Sequence, residues 1–477
     1  MRGLPPIASA ESFRVRRWDA LVLGGALPGL VAAVRLAKRG ARVLMLEEDR
    51  ALEGFQGVRE PFLLTGAAGE QVLGACLRSL GVPLIDQRRF APRDVALQVV
   101  LPDARVDVGR TALTIDEFTA WGLAKPETAR AVLRALDAAA EAERLAMLSA
   151  PVVRSGRRLV RSARRQDGMA ALADGRRVRA LPPERGLPAE VTGAPEAVRK
   201  LFDVLCRSLS HSACSPTSPE AQARLLGALL TGAATLGGAD GWLRGMLRRR
   251  LAALFGEFRS ISGPIRLVTV AQQPGLALGD SDEIWAGRAM ILNAPRAALA
   301  GALAQDVPDL LRVPTPSRRR VFVRLRGSRS ALPEAMSENV IYARDPAVPL
   351  EGTNLIAVRA FCGRSPDEVD LLASAVLPAE AAGGERAAAE IEEALRELLP
   401  FSEAALLREP VPQPLWDTDT VLTDPEPGTG WPAECDVRLS SRPPIFGLER
   451  AWLGDLGFEG DLLLGWRAGD AIADELA

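Results

Sequence analysis

Apolar residues in this chain fall first into a short unbroken run, Ala20 to Leu23, and then into a helical rhythm at Leu30, Val31, Val34 and Ala37. A second unbroken run follows at Val43 to Leu46. Unbroken runs of this length suit parallel strands covered on both faces. The rhythm between them suits a helix packed on that sheet. Gly24, Gly25 and Gly29 supply a tight turn and close helix packing, Pro28 falls in the first helical turn, and Gly40 marks the helix end. Farther along, residues 68–81, 124–150 and 193–235 have helical spacing, 94–108 alternates in short pieces as a hairpin, and 380–398 reads as an amphipathic surface helix. Residues 1–17 read as a disordered lead-in. The proline-rich 409–432 reads as a connecting loop, with Trp416 and Trp431 in packing roles.

The strand, glycine turn, helix and strand over residues 18–48 end in an acid. Glu47 follows Gly24 by twenty-three residues, the spacing at which a carboxylate binds the ribose hydroxyls of an adenine dinucleotide. One position departs from the Gly-x-Gly-x-x-Gly pattern: Ala26 stands where a glycine normally lets backbone amides approach the pyrophosphate at the helix N-terminus. The expected fold class is α/β, a Rossmann-like FAD/NAD(P)-binding domain with a second α+β substrate domain.

At 477 residues, 48% apolar and 25% charged, the chain has the composition of a globular protein large enough for two domains. A net charge of −1 exerts no general pull toward nucleic acid, and no nucleic-acid partner is expected. Only Lys38, Lys125 and Lys200 are lysines; the other basic residues are arginines. Ten arginines cluster in 154–185, read mainly as a solvated insertion and alternatively as a surface for peripheral contact with anionic lipid. Five scattered cysteines point to a reducing compartment, with Cys76 a buried inert thiol, so a cytoplasmic location is expected, with a peripheral place at the inner membrane face as the alternative. Cys206, His211 and Cys214 match no familiar metal-site spacing, and His211 is the single histidine, so no metal is expected.

From Gly237 the chain runs GGADGWLRGMLRRRLAALFGE, then SGPIRLVTVAQQP, then DEIWAGRAMILNAPRAAL. With the N-terminal unit, this layout resembles the amine oxidase and phytoene desaturase superfamily of flavoproteins. The resemblance implies FAD as cofactor, a strand at Val268 to Val270 beside the adenine, and a later strand ending at Asn293-Ala294-Pro295. It also implies a Gly-Gly-Arg segment on the pyrophosphate, where this chain has Glu53-Gly54-Phe55-Gln56-Gly57 without the arginine. Near the C-terminus it implies a Gly-Asp pair followed by a glycine-rich loop beneath the flavin. Here a strand at Leu462 to Leu464 is expected to lead through Gly465-Trp466 directly into the last helix, with Gly469-Asp470 a surface pair inside it. With Ala26, three cofactor contacts look weakened, which makes the cofactor site degenerate.

The candidate cofactor contacts are Gly24, Gly25, Ala26, Leu27 and Gly29 in the turn, Glu47 and Glu48 at the second strand, and Gly54 and Gln56 after it. Val270, Asn293, Gly465 and Trp466 complete the set; no catalytic residue is assigned. The dinucleotide domain is expected from 18–110, 237–312 and 450–477, the substrate domain from 111–236 and 313–449. The three lysines lie away from the place where amine oxidases of this kind hold a lysine near the flavin, and Tyr342 is the sole tyrosine. The resemblance therefore favours a desaturase-like oxidoreductase acting on an apolar, isoprenoid-like substrate, with helices in 193–235 and strands at 319–326 and 354–361 lining a tunnel. The alternative is a non-catalytic relative that binds a lipid or a protein partner.

Overall fold

The computed structural model describes Leu4 and residues 14–48, 56–67, 71–149, 152–156, 185–212, 218–236, 242–278, 282–312, 318–362, 365, 367–382, 384–400, 402, 405–411, 421–422 and 430–477. The Arg-rich stretch 157–184, Gly54, Cys214 and Trp416 lie outside these residues. The first apolar run becomes the strand Arg14–Leu23, so part of the segment expected to be a lead-in is a strand. Residues 20–23 are fully buried, as a strand covered on both faces requires. This strand pairs in parallel with Val43–Glu48 on one side and Glu283–Leu292 on the other. Glu257–Ile261 extends the sheet beyond the first neighbour and Pro444–Gly447 beyond the second, both again parallel. All five strands deliver their C-terminal ends to one edge, where open α/β sheets bind their ligands.

The glycine-turn helix, Leu27–Lys38, is held between this sheet and the last helix, Gly457–Leu476. A Cβ on Gly465 would stand 2.2 Å from the Pro28 carbonyl oxygen, and one on Gly469 would stand 2.8 Å from Arg35 Cβ. Two glycines about one turn apart thus let the helices cross in contact. Asp470, expected at the surface, is buried and accepts hydrogen bonds from Arg35 Nε at 2.7 Å and Arg39 Nη1 at 3.2 Å. Leu462 to Leu464 are not a strand but part of this helix. A helix buried on nearly all sides carries apolar residues all round, and three of them in a row cannot be told from a buried strand.

The second sheet runs in the order Leu406–Glu409, Arg318–Ser328, Glu368–Pro378, Gly352–Cys362, Asn339–Ala343, Val95–Val100 and Arg105–Gly109. Its pairs are antiparallel except the join between Asn339–Ala343 and Val95–Val100. The hairpin near residues 94–108 therefore builds the edge of this sheet and not, as its place within 18–110 suggested, part of the dinucleotide sheet. Conversely, Pro444–Gly447, expected with the substrate domain, joins the parallel sheet. Along Arg318–Ser328 the residues alternate: Val321, Val323 and Leu325 pack with Ala388, Ile391 and Leu395 of the helix Gly384–Leu398. Arg318, Arg320, Arg324 and Arg326 consequently fall on the opposite face. No helix among the described residues is long and apolar enough to cross a membrane.

Candidate functional site

Leu23, Leu46 and Leu292 end side by side in the parallel sheet, which brings Gly24, Glu47 and Asn293 to one place. Gly24 takes φ +109°, a conformation suited to glycine, and donates its N–H to Leu46 O at 2.9 Å. The buried Asn293 side chain pins the turn. Its Oδ1 accepts from Gly29 N at 2.8 Å, while Nδ2 donates to Gly24 O at 2.9 Å and Ala26 O at 2.8 Å. Asn293, expected as a cofactor contact, thus spends both ends of its amide on the backbone of the turn. Gly29 follows from this, since a Cβ there would stand 2.1 Å from Asn293 Nδ2. Ala26 is the buried N-cap, and Leu27 packs into the core.

Replacing Asn293 by Ala would strand the Gly29 N–H and the Gly24 carbonyl, each costing about 1–3 kcal/mol when unpaired, while Ala26 O keeps the Leu30 N–H at 3.2 Å. Asn293→Ala is expected to lower unfolding free energy by about 3 kcal/mol in a urea titration. An unchanged midpoint would show that the clamp contributes nothing.

Glu47 is buried at the end of its strand. Arg248 donates to its Oε2, the Arg59 guanidinium lies 3.7 Å from the same oxygen, and Arg244 Nη2 lies 3.6 Å from Oε1. Oε1 accepts no hydrogen bond. Arg244 also donates to the Gly25 carbonyl. A Cβ on Gly25 would stand 3.0 Å from Arg59 Nη1 and 3.2 Å from Arg244 Nη2, so the absence of a side chain makes the cradle into which both guanidiniums reach. Arg244 and Arg248 are one turn apart on the helix Leu243–Ala253. The Glu60 carboxylate caps that helix, accepting from Leu243 N at 3.0 Å and Arg244 N at 3.1 Å. Burial pushes the Glu60 carboxyl up, opposed by Arg244 and Arg359. Burial also pushes the Arg359 guanidinium down to about 10.

Arg59 corrects one sequence expectation. It closes the short 3₁₀ turn Gln56–Arg59, so an arginine does reach the glycine turn, from the sequence Gly57-Val58-Arg59 just beyond the segment in which it was sought. The Gln56 side chain is not among those described. Glu48 alternates to the opposite side of the strand from Glu47. Val270 belongs to an apolar cluster with Val268, Ala277 and Ile284. Its strand, Ile265–Val270, pairs with Gln273–Leu278, which pairs in turn with Glu283–Leu292. Gly465 and Trp466 lie within the last helix, Gly465 against the glycine-turn helix and Trp466 beneath the Arg467 guanidinium. A loop precedes the last helix. It runs from Leu448 to Leu456, between the strand Pro444–Gly447 and the last helix, and contains Gly454-Asp455.

The end of that loop and the start of the last helix carry buried charge. Arg224 Nε and Nη2 each meet a Glu459 carboxylate oxygen at 2.6 Å, with both side chains almost fully buried. Arg450 grips Asp461 through two nitrogens and reaches His211 Nε2 at 3.0 Å. Burial, with the positive charges of Arg450 and Arg320, holds His211 well below the usual histidine range. The imidazole is therefore neutral, and its Nε2 accepts from Arg450. Ser212 Oγ donates to the buried Asp455 at 2.6 Å.

A small cavity of about 40 Å³ touches His211, Glu459, Phe458 and Thr65. It shares Ser208 and Arg320 with a larger one of about 360 Å³ on the arginine-bearing face of the second sheet. None of the three lysines lines either cavity; Lys38 donates to Ser79 O, and Lys200 pairs with Glu196. The expected helices and strands do border the larger cavity. The cavity walls nonetheless carry arginine and serine as well as apolar groups, because the strand's alternation sends its valines to the far face.

Arg59, Arg244, Arg248, Arg224 and Arg320 were not anticipated. With nearly all basic residues being arginine, no single one stands out in the sequence. Gly57-x-Arg59 just after the acid was the one available signal.

No protein-family model and no curated protein matches the chain. Solved structures do match its fold. An oxidoreductase from Methanosarcina mazei aligns at a TM-score of 0.52 and 14% identity, covering 95% of this chain and all of that one. Wild-type putrescine oxidase bound to putrescine aligns at 0.52 and 14% identity, covering 96% and 99% of the two chains. A putrescine oxidase double mutant from a redesign of cofactor binding aligns at 0.51 and 13% identity, with the same coverage. The chain thus shares its fold with these solved structures, a Rossmann-like parallel sheet joined to a second, largely antiparallel one.

Proposed function

We propose that the chain is an FAD-dependent oxidoreductase that holds the adenosine ribose on Glu47 and the pyrophosphate between the Gly24–Gly29 turn and Arg59 with Arg244. The observation that carries this reading is the buried carboxylate beside the glycine turn, with one oxygen accepting no hydrogen bond and three guanidiniums around it. A ribose hydroxyl could supply that hydrogen bond. The three guanidiniums bring positive charge beside the glycine turn, where a pyrophosphate at a helix N-terminus would be held. When bound, the flavin would supply the hydride-accepting chemistry. The chain's own residues bind and orient, and the neutral His211, its Nε2 held by Arg450, adds no charge. The apolar, isoprenoid-like substrate draws support from the leucine and valine portions of the larger cavity, but its arginines argue for a charged group on whatever enters.

A second reading, a non-catalytic relative, draws support from the opposite end of the site. The Arg224–Glu459 and Arg450–Asp461 pairs crowd the start of the last helix, and the cavity beside them holds only about 40 Å³, far below the ~300–1,000 Å³ of ordinary ligand pockets. Titration of the purified protein with FAD separates the two. The first reading expects saturable binding and a flavin absorbance retained through gel filtration. A colourless protein whose melting temperature does not move in excess FAD would exclude it.

A further inference from the structure

We propose that the larger cavity binds an amphiphilic anion, a carboxylate or phosphate head on Arg318 and Arg320 with an apolar body along Leu350 and Leu355. This rests on the oxidoreductase reading only for its place in a reaction; the binding itself stands on the cavity. Arg320 pairs across the sheet with Val376, Val376 with Gly352, and Ser374 with Ala357, so three adjacent strands form one continuous floor. Arg318 and Arg320, two residues apart on the same strand, point to one side of that floor. The roof comes from the end of the helix Glu196–Leu209 and the segment after it. Ser208 Oγ there is buried and makes no hydrogen bond, although it borders both cavities.

A buried hydroxyl without a partner is costly unless a ligand completes it. A negative head-group is favoured, because the charged donors lining the cavity are the guanidiniums of Arg207, itself held by Asp203 at 3.1 and 3.2 Å, Arg318 and Arg320, against the single lining carboxylate of Glu351. Glu351 already accepts from Arg318 at 3.0 Å and is half exposed, so it acts as an internal stand-in that an incoming anion would displace. Guanidinium forks match carboxylate and phosphate oxygens in pairs. At about 360 Å³ the cavity has room for a short chain behind the head-group.

The test is calorimetric titration of the full-length protein with octanoate, octyl phosphate, octylamine and octanol, with FAD titrated in parallel. Octanoate or octyl phosphate should bind saturably at least tenfold tighter than octylamine or octanol, and whichever is tighter identifies the head-group. Arg318→Gln should weaken that binding about tenfold, the loss expected for one charge-assisted hydrogen bond. Glu351→Gln, a change at an exposed carboxylate, should strengthen it. Equal or tighter binding of octylamine, or anion binding unaltered by both variants, overturns the proposal. Anion binding without FAD binding would sink the oxidoreductase reading and leave this one standing, and FAD binding without anion binding would do the reverse.

Discussion

Glu47→Ala is expected to cost about 3–5 kcal/mol of folding stability and to weaken FAD binding by at least about tenfold. The carboxylate is only 2% exposed and faces Arg59, Arg244 and Arg248. Removing it leaves like charges facing one another where water cannot screen them, and the penalty for an uncompensated buried charge exceeds that of any lost contact. The loss of FAD affinity has a separate cause, the missing acceptor for the ribose hydroxyls. The two effects can be told apart by measuring urea unfolding without FAD and affinity on the folded variant. Adding Arg248→Met to Glu47→Ala should return part of the stability, because it removes one of the guanidiniums left unbalanced, but none of the affinity. Full stability in the single variant would show that the arginines turn away to solvent. Unchanged affinity would show that the dinucleotide fingerprint no longer binds.

Arg224→Met is expected to be comparably destabilising, by about 3–5 kcal/mol, whereas Arg224→Met combined with Glu459→Met should fall near the parent protein or above it. The pair is buried at both ends, and Arg224 is further held by the Ala140 carbonyl at 3.2 Å and Gln71 Oε1 at 3.0 Å. Breaking a desolvated pair strands the surviving charge. Replacing both partners by side chains of similar volume removes the desolvation cost along with the attraction. Chemical denaturation of the two singles and the double gives the coupling directly. A double variant as unstable as the worse single would mean that the pair contributes net stability and that methionine cannot fill the space.

The correspondence between pattern and structure is uneven for identifiable reasons. The strand, turn, helix and strand over 18–48 were legible because every local signal agreed: apolar runs, glycine at a positive φ, proline in the first turn, and an acid at the end. The C-terminus departs from its pattern because Leu462 to Leu464 form the same apolar run whether the backbone is extended or helical. Only the crossing of Gly465 and Gly469 over the glycine-turn helix settles it. Asn293 was correctly placed at the strand end, but its role depends on three backbone atoms from residues 24–29, which no local window contains.

The order of residues alone determined the Rossmann-like unit, the acid at its edge and the α/β class, since these follow from periodicity and turn chemistry within some thirty residues. Tertiary structure decided which arginines matter. Arg59, Arg244 and Arg248 meet at Glu47 from two separate segments, and Arg318 and Arg320 line one cavity with Ser208 across another long separation. Charge is a property of a residue, but burial and partnership are properties of the fold, and these determine whether a guanidinium is surface decoration or part of a site.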